Sequence, residues 1–165
     1  MKITKSLIVN KNADDVWKII GHDFDQAHLW MDPIPESYAI GRGEGLSNAP
    51  MEGRICHLSD NPQGAKAKEV ITQFSEEKKQ LTFEVTSINV PAIIPLKKNV
   101  VQMTVKDLGM NKSEVVWVSR PQLKPFAYLI YPMLRLVLPV AFGKLLKGLK
   151  VYAEGSAQQS ASASN

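Results

Sequence analysis

One cysteine, Cys56, in 165 residues excludes an intrachain disulfide and a four-thiolate metal site. Nothing in that usage argues for secretion, so a cytoplasmic location is expected. Histidine is almost as scarce. His22 and His28 are six apart, which is not a same-face helical spacing, His57 stands alone, and no compact His/Asp/Glu cluster accompanies them, so neither a metal nor a cofactor is expected. The glycine-rich stretch Gly41-Arg42-Gly43-Glu44-Gly45 lacks the strand-to-helix setting and the further glycine or lysine of phosphate-binding loops, and it reads as a hairpin turn. A long apolar leader with a small-residue cleavage site is also missing, so the N-terminus reads as mature sequence. Acid is lacking in one place above all. Arg120, Lys124, Arg135, Lys144, Lys147 and Lys150 fall in a stretch that holds none of the chain's 16 acidic residues. That local excess suits an anionic ligand or peripheral contact with an anionic lipid surface, or else a solvated helix face; a nucleic-acid partner is not expected.

What is present is a core. With 44% hydrophobic residues the chain can fold as one domain without staples. Ile3, Lys5, Leu7 and Val9 alternate with their neighbours as in a first strand. Asn12 is placed to cap a short helix, Ala13 to Ile20, with Asp14 and Asp15 in its first turn and Gly21 at its end. A second short helix is expected from Asp25, as its cap, to Met31, before Pro33 and Pro35. Strands then follow at short spacing over 37–40, 51–58, 67–74, 80–88, 97–106 and 113–120, which predicts an antiparallel meander. Leu81, Phe83 and Val85 share one face, as do Val101, Met103 and Val105, while the last strand, with Val115 and Trp117 on one side and Val116 and Val118 on the other, is expected to be covered on both.

Residues 126–152 form the longest apolar stretch and predict one helix, bent near Pro132 and Pro139. Its most apolar part, Phe126 to Phe142, would reach roughly 25 Å against a hydrocarbon core of about 30 Å, and it contains Arg135, so a buried helix is favoured over a spanning one. Residues 155–165, rich in Ala, Ser and Gln, are expected to be a disordered tail after a domain of 1–154.

Two segments carry a family resemblance. Val9-Asn10-Lys11-Asn12-Ala13-Asp14-Asp15-Val16-Trp17, running on to Gly21-His22-Asp23-Phe24, resembles the opening of the polyketide cyclase/dehydrase-like branch of the START-like (SRPBCC) superfamily, to which the Bet v 1-like proteins are related; a histidine is inserted in its Gly-Asp-Phe. Ser113-Glu114-Val115-Val116-Trp117-Val118-Ser119-Arg120-Pro121 is similar to that family's last strand. The resemblance implies an α+β helix-grip fold, a seven-stranded curved antiparallel sheet with two short helices after strand 1 and a long C-terminal helix. It further implies a cavity between sheet and helix for an apolar ligand, without implying one reaction.

The candidates for lining that cavity are Trp30, Tyr38, Phe83, Met103, Trp117, Tyr128, Tyr131 and Arg135; any one of the aromatics taken alone is better read as packing a closed core, and the case for a cavity rests on the set. Arg135, a cation among Met133, Leu134, Leu136, Val137 and Leu138, either holds a ligand's acidic head or snorkels outward. Tyr131 lies four residues before it, on the same helical face. The expected function is a noncatalytic binder or carrier of a lipid-, fatty-acid- or polyketide-like molecule; the alternatives are a metal-free cyclase or dehydratase using Tyr131, Arg135 or a histidine, and a protein-interaction module.

Overall fold

A computed structural model describes residues 1–41, 46 and 48–162. The chain begins with β1 (Ile3–Val9) and turns into α1 (Ala13–Trp17), where the Asn12 side chain accepts from Asp15 N–H at 2.8 Å. Such a cap is worth about 1 kcal/mol. Instead of continuing as an α-helix, the chain widens into a π turn over Lys18–His22. A 3-10 turn, Phe24–Leu29, stands where a helix capped by Asp25 was expected; Asp25 falls inside its first turn and caps nothing.

Six strands follow: β2 (Ser37–Ile40), β3 (Gly53–His57), β4 (Lys66–Ser75), β5 (Gln80–Ile88), β6 (Leu96–Gly109) and β7 (Lys112–Leu123). They form one antiparallel sheet in the order β1-β7-β6-β5-β4-β3-β2. The glycine-rich turn expected over 41–45 lies, from residue 42 on, outside the described residues. The loop expected over 107–111 shrinks to Met110 and Asn111, both at positive φ (49° and 57°), the pairing that lets a two-residue turn follow the right-handed twist of its strands. Pro121 is tolerated in β7 because β1 has ended there. The β1 ladder closes at Ile3 opposite Ser119, so the missing N–H has no partner to lose.

The core lies on one face of the sheet. Val9, Val16, Trp17, Phe24, Leu81, Phe83, Val101, Met103, Val115 and Trp117 are buried there. On the opposite face Val116 and Val118 are half-buried, so β7 is not fully covered on both sides.

A second 3-10 turn, Pro125–Ile130, leads into α2 (Tyr131–Ser162). Pro132 sits at the second position of α2, where its missing N–H costs nothing, and Pro139 lies inside the helix. The helix runs past residue 154, where a disordered tail was expected. Ala and Gln are sound helix formers and let the backbone propagate to Ser162 once nucleated; residues 163–165 lie outside the described residues. The long apolar helix is not buried as a whole, contrary to what its sequence predicts. Leu134, Leu146, Leu149 and Ala153 are buried, but Leu129 is 88% and Leu136 75% exposed, and 11% of the most apolar stretch is buried.

Candidate functional site

Between the sheet's inner face and α2 lies a cavity of about 550 Å³, within the roughly 300–1,000 Å³ of small-molecule sites. Strand alternation supplies one wall: Ala67, Phe83, Val85, Val101 and Trp117 each occupy an inward position. The i, i+3/i+4 rhythm of α2 supplies the other through Leu138, Ala141, Phe142, Leu145 and Gly148. Trp30, Met31, Pro33 and Ile34, after the first 3-10 turn, close one end. Gly148 is required by that closure. A Cβ there would stand 2.2 Å from the Trp30 carbonyl oxygen, so helix and turn could not approach as they do.

Few polar groups interrupt these apolar walls: Asp32, Glu69, Ser87, Asn99 and Lys144. Asp32 and Lys144 also line an adjoining depression of about 500 Å³, together with Trp30 and Gly148, which puts them at the rim. Glu69 and Asn99 are buried. Glu69 on β4 stands directly across from Arg54 on β3, and the Arg54 Nε and Nη2 groups reach its Oε2 at 2.7 and 2.6 Å. Arg54 also donates from Nη1 to the Phe24 carbonyl at 2.5 Å and lies 4.0 Å over the Phe24 ring. Its charge is therefore spent within the fold. Beside this pair, burial pushes the Cys56 thiol up to about 12, with Arg54 opposing the shift and Glu69 adding to it. Asn99 accepts the Ser119 hydroxyl at 2.8 Å through its amide oxygen, so what it can offer a ligand is its amide NH₂. The buried Nε1 of Trp117 has no acceptor among the described residues.

Of the eight candidates, Trp30, Phe83 and Trp117 stand on the cavity wall. Met103 is 1% exposed within the closed core. Tyr38 is exposed on β2 with its ring 5.9 Å from that of His57. Tyr128 is exposed and stacks on Tyr131 at 6.4 Å, before α2 reaches the cavity. Arg135 is exposed in a separate groove with Lys2, Lys5 and Pro139, beside the start of β1. Its helical phase matches that of Leu138 and Phe142, but it lies too early on α2 to enter the site. The histidines are engaged elsewhere: His22 with Glu76, His28 with Ser37, and His57 with Glu36. The Cys56 and His57 side chains, adjacent on β3, point to opposite faces.

Arg54, Glu69 and Asn99 are absent from the candidates that the sequence suggests, although two of them carry a signal. Glu69 shares its inward phase with Ala67 and Ile71, and Asn99 shares its own with Val101, Met103 and Val105. A polar side chain within an apolar alternation is one that must find a buried partner.

Residues 1–154 match the family model described as polyketide cyclase/dehydrase and lipid transport. No curated protein sequence matches. Among solved structures, a START superfamily protein from Mycobacterium smegmatis is 15% identical with a TM-score of 0.66, covering 96% of this chain and 97% of that one. A protein from Thermus thermophilus is 12% identical with a TM-score of 0.70, covering 94% and 99%. Thalictrum norcoclaurine synthase, solved as a point mutant with a transition-state analogue, is 14% identical with a TM-score of 0.64, covering 95% and 96%. At such identities the likeness establishes the helix-grip fold alone.

Proposed function

Because this chain belongs to the polyketide cyclase/dehydrase and lipid transport family of the START/Bet v 1 superfamily, we propose that it binds a hydrophobic small molecule, lipid-like or polyketide-like, in the cavity between sheet and α2, as a carrier working in the cytoplasm. The observation that carries this reading is the pairing of apolar walls with a few buried polar groups, which is how small-molecule sites gain affinity and fix orientation. The same groups argue for a ligand whose inner end is neutral. Arg54 is matched by Glu69, and Arg135 lies outside the cavity, so a buried anionic head would meet no uncommitted cation among the described residues lining the interior. A hydroxyl or carbonyl accepting from Asn99 would be accommodated, and an acidic group would stay at the rim near Lys144.

The cyclase or dehydratase reading loses the groups that the sequence offers for it, since Tyr131, Arg135 and the histidines stand away from the cavity. It would have to run on Glu69, the one carboxylate buried in the wall among the described residues, acting while bound to Arg54.

Native mass spectrometry of freshly purified protein, with extraction of whatever is bound, tests the binding reading. The expected result is an apolar molecule in stoichiometric amount that Ala141→Trp, which fills the cavity, excludes. An empty protein whose melting temperature responds to none of a broad apolar ligand panel would overturn it.

A further inference from the structure

Apolar side chains on α2 lie open on the face turned away from the cavity. Met133, Leu136, Val137 and Val140 are 54%, 75%, 53% and 60% exposed, and at 100° per residue they fall within one arc of about 100°. Leu129 and Tyr128 extend the surface into the preceding 3-10 turn. A contiguous exposed apolar patch of this kind marks a contact surface. The next residues on the same stripe are Lys144 and Lys147, both exposed, and neither forms an ion pair among the described residues. Between Arg120 and Lys150 the sequence holds no acid at all.

We infer that this face of α2 docks on an anionic lipid bilayer, with the 128–140 apolar stripe entering the interface and Lys144 and Lys147 meeting the headgroup phosphates. An apolar surface continued by lysines that form no ion pair among the described residues is the composition that interfacial helices use. From Val140 to Lys147 the rise is about 10 Å, enough for the apolar part to lie in the acyl boundary while the lysines remain among the headgroups. A second copy of the chain fits less well. Two such faces packed together would enclose lysines and supply no carboxylate from this stretch. Spanning the membrane fits less well again, because the other side of the helix buries Leu134, Leu146, Leu149 and Ala153 in the fold. Docking through this face would leave the cavity wall of Leu138 and Phe142 on the far side of the helix, so it does not require the cavity to be a ligand site.

Co-sedimentation of the full chain with phosphatidylcholine vesicles, with and without phosphatidylglycerol, tests it. Binding is expected with phosphatidylglycerol and is expected to weaken as salt rises. Lys144→Gln with Lys147→Gln should weaken it about thirtyfold, at roughly 1 kcal/mol per lysine. Leu136→Glu with Val140→Glu should reduce it to background while leaving the melting curve and ligand binding unchanged, since neither side chain lines the cavity. Failure of the native protein to sediment with anionic vesicles at low salt would overturn the inference, as would unchanged binding by the Glu variant. So would a solution dimer that this variant dissociates in a protein without vesicle affinity, which would assign the face to a second copy.

Discussion

Arg54 and Glu69, facing each other across β3 and β4, form an ion pair whose side chains are 2% and 10% exposed. Beside an apolar cavity, neither charge can be left alone. Arg54→Met is expected to strand the carboxylate and destabilise the fold by about 3–5 kcal/mol, and Glu69→Gln to do similar harm from the other side. The double variant should recover much of that loss, because removing both charges removes the desolvation cost of each. Urea denaturation of the four proteins checks this, and a double variant as unstable as the sum of the single ones would refute it.

The same surroundings make Cys56 inert. Its thiol is buried and pushed up to about 12, and the thiolate is the reactive form. Native protein at pH 8 should resist iodoacetamide, while urea-unfolded protein should react at the rate of a free cysteine. Fast alkylation of the native protein would show that this part of the sheet is open.

Periodicity makes the fold legible. The two-residue alternation of Leu81-Phe83-Val85 and Val101-Met103-Val105 places strands and inward faces together, because one buried face leaves strand register little freedom. The site is legible in part. Trp30, Phe83 and Trp117 reach the cavity wall, but the aromatics at the start of the long helix lie outside the cavity. Periodicity gives the face of a helix, and it does not say how far along that helix the sheet reaches. Tyr131 and Arg135 therefore share the helical phase of Leu138 and Phe142 without lining the cavity. Burial of the whole helix fails as an expectation for the same reason. The inward phase of Glu69 signals that it needs a buried partner, but which residue that is stays hidden, because Arg54, fifteen residues earlier, is brought across from it only by the pairing of β3 with β4.

Glycines on α2 separate close approach from conformational cost. At Gly148 an added Cβ meets the Trp30 carbonyl, whereas at Gly143 it meets nothing within 4 Å. Gly148→Ala is expected to push helix and turn apart and cost about 1–3 kcal/mol. Gly143→Ala should stabilise by about 0.5–1 kcal/mol through helix propensity. Thermal melts that shift in the same direction for both variants would contradict this packing.

Acid should loosen the C-terminal attachment of α2. Glu154 accepts the Asn10 N–H at 2.8 Å; that bond, together with Lys150, holds its carboxyl below the usual range against the opposing effect of burial. A folded-state pKa below the unfolded one contributes stability that is fully present above the unfolded value, near 4.5, and is lost as pH falls through the depressed one. The native protein should exceed Glu154→Ala by about 1 kcal/mol at pH 7, and the gap should close as pH falls below about 4. A gap independent of pH would mean that the carboxylate charge plays no part.

The two halves of α2 are held unequally, and hydrogen exchange should record the difference. Residues 146–153 bury Leu146, Leu149 and Ala153, and the chain there is tied to β1 by Lys150 donating to the Ile8 carbonyl and by Glu154 accepting from Asn10. Over 131–140 Leu134 is the sole buried side chain, and Pro139, inside the helix, removes a backbone hydrogen bond. Local opening should therefore cost less in the first half, so amides of 133–138 are expected to exchange at least about tenfold faster than those of 146–151. Leu138 in this half, with Ala141 and Phe142 just beyond it, walls the cavity, so opening here would widen the cavity. Exchange measured with anionic vesicles should slow selectively over 131–140. Equal protection along the whole helix would mean that the exposed half is held by something other than its contacts with the sheet.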